Sequence, residues 1–186
     1  MSAKGEYGTP VKTPDGTVAL VENGVTDEAS YRQLVTGKAV HEALRHEFAR
    51  LPITVKAVAD GNDARAAIVG GHVVLMAAIF DAHHDAEESV LRPAVLSVRP
   101  DLASTLDAVE ADHDGLARQA DQLRGLAGAW MSESGHQERA ALHTALIAFE
   151  RALLHHLAVE EQSVLAQATE LSASDVADVG RRSRAH

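Results

Sequence analysis

The chain has 186 residues, enough for one domain with a substantial core and too few for two. Its formal net charge of −10 would repel a phosphate backbone, which argues against nucleic acid as a partner, and the absence of cysteine excludes disulfides, thiolate metal sites and thiol catalysis. The apolar residues are mainly Ala, Leu and Val and only 3% of the chain is aromatic, a balance that favours packed helices over sheets.

In chain order, residues 1–30 form an N-terminal arm rich in Gly, Pro and Thr. Thr13-Pro14-Asp15-Gly16-Thr17 is a turn between two short apolar runs, so the arm is either a small hairpin or an irregular strap. Met1–Gly8 lacks the apolar core of a signal peptide. The longest apolar stretch, Ala64–Phe80, is too short for a bilayer, and a cytoplasmic protein without membrane contact is expected. A first helix is expected from Ser30, at capping-box spacing from Gln33, to about Ala59, with Pro52 inside it as a source of a kink. After a turn at Gly61-Asn62, a second helix should run from Asp63 to Arg92. Pro93 marks its end, and Gly70-Gly71 is a weak spot within it. A third helix opens at Pro100-Asp101 and reaches about Trp130; a turn at Ser132–Gly135 leads into a fourth, from His136 to about Glu170. Residues 31–170 therefore make an all-α, up-down-up-down four-helix bundle. Residues 171–186 add a short C-terminal helix capped by Ser174 and a basic tail of Arg181, Arg182 and Arg184.

Eleven histidines are many for so few aromatics. At spacings of three and four, each predicted helix carries one apolar stripe, and each stripe contains a histidine. They are Leu34-His41-Leu44-Phe48-Leu51-Val55, Val73-Met76-Phe80-His83-Glu87-Leu91, Leu102-Leu106-Val109-His113-Leu116-Ala120-Leu123, and Leu142-Leu146-Phe149-Leu153-His156-Glu160. In the second and fourth a glutamate follows the histidine by four residues. An ionised glutamate on an apolar face is costly unless it is paired or bound to metal. Histidine and glutamate at i and i+4 project from one face and can reach one ion, and such donors suit iron, manganese or zinc. Counted from the turns, His41, His83, Glu87, His113, His156 and Glu160 fall in one layer of the bundle, to within one or two helical turns. A single histidine on such a face is usually a packed core residue; the joint pattern of four stripes and two pairs points to a metal centre.

The motif His83-His84-Asp85-Ala86-Glu87-Glu88, closed by Pro93, resembles the second-helix motif of hemerythrin-like (HHE cation-binding) proteins, and His156-Leu157-Ala158-Val159-Glu160-Glu161 resembles their fourth-helix motif. His41 and His113 fill the single-histidine positions, and the resemblance covers about residues 35–168. It implies two iron ions, bridged by oxygen or by carboxylates, and a small ligand such as dioxygen, peroxide or nitric oxide. Oxygen-carrying hemerythrins have a fifth histidine on the third helix, four residues beyond His113, where this chain has Ala117. One metal is therefore expected to lack a ligand, a place that water, Glu110, Tyr7 or Tyr31 could fill.

Other registers give different expectations. His84 and Glu88 are also four apart, but their stripe, with Ala77 and Asp81, reads as solvent-facing. His155 lies on an alanine stripe, so His156 is preferred. His46 points roughly 140° from His41 and is expected in a supporting shell or at the surface. Glu110 and His113 have the Glu-x-x-His spacing of ferritin-like bundles, but the fourth helix has no equivalent. Three functions fit: a di-iron protein that reacts with a small oxidant, an oxygen- or iron-sensing or storage module without turnover, and a bundle without metal.

Overall fold

The computed structural model describes the backbone of residues 9–12, 18–21 and 28–165 and most side chains from Lys38 to Ser163. The expectations for Tyr7, the side chain of Tyr31, the helix after Ser174 and the arginine tail lie outside the described residues. In the arm, β1 (Thr9–Lys12) pairs antiparallel with β2 (Val18–Val21), Thr9 opposite Val21 and Lys12 opposite Val18.

Four long helices form a closed ring. α1 (Glu28–Lys56) packs on α2 (Asp63–Ala86), α2 on α5 (His113–Glu133), α5 on α6 (His136–Glu160), and α6 back on α1. The predicted stripes become the core: Leu44, Phe48, Leu51 and Val55 of α1 and Leu142, Leu146, Phe149 and Leu153 of α6 are all within 1% of complete burial. Phe149 stands between Phe48 and Phe80, with ring centroids 4.7 and 5.2 Å away, and these rings floor the layer of histidines. Pro52 lies within α1 without ending it.

The second and third predicted helices are interrupted. α2 passes at Glu87–Leu91 into a π-helical turn and continues as α3 (Arg92–Val98), so the chain stays helical past Pro93. The Arg92 N–H reaches back to the Glu87 carbonyl, and Pro93 falls in the first turn of α3, where a missing N–H costs little. The third helix is divided into a 3-10 turn at Pro100–Leu102, α4 (Ala103–Glu110) and α5, with the break at Ala111-Asp112. Val95, Leu102 and Leu106 form a small second apolar cluster. α6 likewise passes into a π turn at Glu161–Leu165. Gly70 is a contact rather than a weak spot, since a Cβ there would stand 2.5 Å from Met131 Cγ of α5. Asp63–Ser89 is long and apolar enough to cross a membrane, longer than the apolar run alone suggested, but one side of it builds the bundle core.

Candidate metal centre

The bundle end away from the α1–α2 and α5–α6 turns gathers seven side chains able to hold metal. α1 contributes His41, α2 contributes His83 and His84, and the π turn that follows begins with Glu87. α5 starts with His113, and α6 ends on His156 and Glu160. Two groups result: the donor atoms of His41, His83, Glu87 and Glu160 lie within 4.8 Å of one another, and so do those of His84, His113 and His156. Nε2 of His41 is 3.0 Å from Nε2 of His83, and Nε2 of His84 is 3.0 Å from Nε2 of His156. Two nitrogens bound side by side to one cation at ~2.1 Å would stand roughly 3 Å apart.

The outer nitrogens of three histidines have acceptors that fix the tautomer. His41 Nδ1–H donates to Glu161 Oε1 at 3.0 Å, and Arg45 holds that carboxylate at 2.8 Å. His84 Nδ1–H donates to the Phe80 carbonyl at 3.0 Å, and His113 Nδ1–H to Glu88 Oε1 at 3.3 Å. Each Nε2 lone pair is thereby turned inward. His113 Nε2 and Glu160 Oε2 are buried and have no hydrogen-bond partner, an arrangement that suits a bound cation and is otherwise costly.

Electrostatics agree with the geometry. Burial, with neighbouring histidines adding to it, pushes His83 down to about 4 and His156 down to about 3, and lowers His84 as well. These rings are therefore neutral, as metal ligands must be. Burial also opposes charge on His41, but Glu87, Glu160 and Glu161 around it outweigh this and raise it. Burial raises Glu160, and the charge of Glu87 beside it raises it further; burial acts against ionised Glu87 too, but His41 and His83 prevail and lower it. Without a cation, the two carboxylates do not both ionise easily.

A cavity of about 40 Å³ adjoins both groups, lined by Glu87, Glu160 and His113 on one side and by Val95, Leu106, Val109 and Arg92 on the other. It has room for one or two water-sized molecules. Glu110 also lines it, but pairs with Arg92 at 3.0 Å and belongs to neither donor group.

Several expectations change. His84 is 7% exposed and part of the cluster, not solvent-facing; of its stripe, Ala77 is fully buried, Asp81 partly covered and Glu88 exposed. Ala117 is exposed and in neither donor group, whereas His84 of α2 stands in the cluster as a fifth histidine able to hold metal. His46 is exposed at the surface, beside Glu47 at 3.2 Å. His156 is buried and His155 exposed, as their stripes predicted. The supporting carboxylates Glu88 and Glu161 and the arginines Arg45 and Arg92 were not found from the sequence; their one signal was the doublets Glu87-Glu88 and Glu160-Glu161.

No curated protein and no solved structure matched the chain in comparison. Residues 36–168 match the family model for the hemerythrin HHE cation binding domain, and the chain, an all-α bundle with His/Glu clusters able to hold metal, belongs to that family.

Proposed function

We propose that this is a non-haem di-iron protein that binds a small oxidant, dioxygen, hydrogen peroxide or nitric oxide, and reacts with it. The observation that carries the reading is the division of seven inward donors into a group of four and a group of three, with Glu87, Glu160 and His113 lining one cavity. One ion would be held by His41, His83, Glu87 and Glu160, and a second by His84, His113 and His156. Four imidazole and carboxylate donors satisfy one zinc, whereas seven suit two ions of higher coordination number. Iron, when bound, supplies open coordination positions and electrons for a small oxidant.

The chain's own residues do the rest. Phe48, Phe80 and Phe149 keep the floor of the site dry. Val95, Leu106 and Val109 narrow the cavity to small molecules. Glu88, half exposed, accepts the Nδ1–H of His113 and also lines the cavity, so its carboxylate links the cavity to solvent. That link favours reaction over reversible carriage, which requires a bound ligand kept from protons.

Elemental analysis and an optical spectrum of protein made without a metal-affinity tag, followed by a peroxide-consumption assay, test the reading. Two irons per chain and peroxide turnover are expected. Two irons without turnover would leave the sensing or storage module; one zinc per chain with no capacity for a second ion would overturn the di-iron reading.

A further inference from the structure

The lining of the cavity beside the two donor groups changes in character with burial. The side chains of Glu88, Arg92 and Glu110 are charged and 51%, 29% and 28% exposed, and they form its mouth. Val95 of α3 and Leu106 and Val109 of α4 are buried and form an apolar wall. Glu87, His113 and Glu160, donors from both groups, form its inner end. There the buried Glu160 Oε2 and His113 Nε2 have no hydrogen-bond partner. The donors that do not line the cavity include His41, His84 and His156, all buried, and the buried rings of Phe48, Phe80 and Phe149 floor the layer.

We propose that this cavity is the route by which a divalent cation reaches the centre, with Glu88 and Glu110 as carboxylates that relay it and Arg92 as the latch. The inference rests on the reading of the seven donors as a metal centre. Charge selects a cation: four glutamates line the cavity against one arginine. A cleft of one sign with apolar walls concentrates the opposite ion. Size then requires the carboxylates. The cavity, about 40 Å³, has room for one or two water-sized molecules, whereas a small divalent cation in solution carries an octahedral shell of about six waters. It can pass only by exchanging water for fixed oxygens, and Glu88 and Glu110 offer these at the mouth before Glu87 and Glu160 are reached.

Arg92 holds the mouth closed. Its Nε stands 3.0 Å from Glu110 Oε2, while its Nη2 pairs with Oδ1 of Asp107, an exposed side chain outside the cavity lining. Asp107 keeps the guanidinium paired when Glu110 turns to a cation, so the latch can open without leaving Arg92 unpartnered.

Stopped-flow mixing of cobalt(II) with chelator-stripped full-length protein, followed by the visible spectrum, measures uptake; transfer of bound cobalt to excess chelator measures release. Glu110→Gln should slow uptake about tenfold. Release should slow with it and Kd should change little, because a residue on the path alters the barrier and not the bound state. Arg92→Gln should speed both rates several-fold, and Val109→Ala, which widens the wall, should do the same. The two polar variants break the same ion pair, so a pair that only holds α3 to α4 would move both rates in one direction; opposite signs identify a route. Asp114→Asn removes an equal charge from an exposed position beside His113 but outside the cavity lining, and should leave both rates unchanged. Rates unaffected by Glu110→Gln, changes of the same sign in the two polar variants, or equal slowing by Asp114→Asn would overturn the route while leaving the metal centre in place. A wild type that takes up no cobalt would overturn the centre and the route together.

Discussion

Replacing His84 and replacing Ala117 probe the centre from two sides. His84 contributes one of three imidazoles in its group, so His84→Ala should leave one ion tightly held and weaken the second at least tenfold. Ala117→His should change neither stoichiometry nor affinity, because residue 117 faces outward. Equilibrium dialysis with elemental analysis distinguishes the two; a centre strengthened by Ala117→His would count against the geometry. The doublets Glu87-Glu88 and Glu160-Glu161 work alike: the first glutamate turns inward, and the second backs a histidine from another helix, Glu88 behind His113 and Glu161 behind His41. Glu161→Gln keeps the shape but loses the charge behind the His41 ring, and metal affinity should fall roughly tenfold to a hundredfold. The six donors read from the sequence were legible because Leu and Phe neighbours mark their faces. His84 was not, because its stripe runs through Ala77, and alanine carries little hydrophobic signal even when fully buried.

Among the elements, the sequence marked the helices well and their interruptions poorly. Periodicity assumes 3.6 residues per turn, and a π turn inserts one residue without changing composition. Both π turns begin at or next to an inward glutamate, Glu87 in one case and Glu160 in the other. The extra residue re-aims the chain beyond, letting Val95 enter the second apolar cluster while Glu87 stays at the centre. Pro93 looked like a terminator because a proline usually ends a helix interior, but here it enters a new first turn. Glycines separate by what surrounds them. Gly70 lets α2 approach Met131 of α5, so Gly70→Val should destabilise the bundle by about 1–3 kcal/mol through overpacking. Gly125 has nothing near its missing Cβ, so Gly125→Ala should stabilise by about 0.5–1 kcal/mol through helix propensity. Denaturant midpoints at constant slope measure both, and equal effects would contradict the packing of α2 on α5.

For the whole molecule, metal, protons and stability are linked. In the metal-free protein His83, His84 and His156 resist protonation, so the unfolded chain takes up protons below its ordinary 6.5 that the folded chain refuses. Stability should therefore fall on acidification from 6.5 toward the values of about 4 for His83 and about 3 for His156. Each such histidine contributes about 1.4 kcal/mol per pH unit within its window, and Glu160 partly offsets them. On the alkaline side the sign reverses. Glu160 and His41 hold protons in the folded state beyond their ordinary values of 4.5 and 6.5, so the stability they lend is lost as pH rises through their raised values. A bound cation requires both groups to be deprotonated, so binding should release protons and tighten as pH rises. At a hundredfold excess over Kd, binding stabilises by about 2.7 kcal/mol, which for a bundle of this size is roughly 5–10 °C in Tm. The rise in Tm on loading chelator-stripped protein with iron should therefore be larger at pH 8 than at pH 6. Titrations in two buffers of different ionisation enthalpy should show proton release. An equal rise at both pH values, with no protons released, would mean that the metal binds somewhere other than between His41 and Glu160.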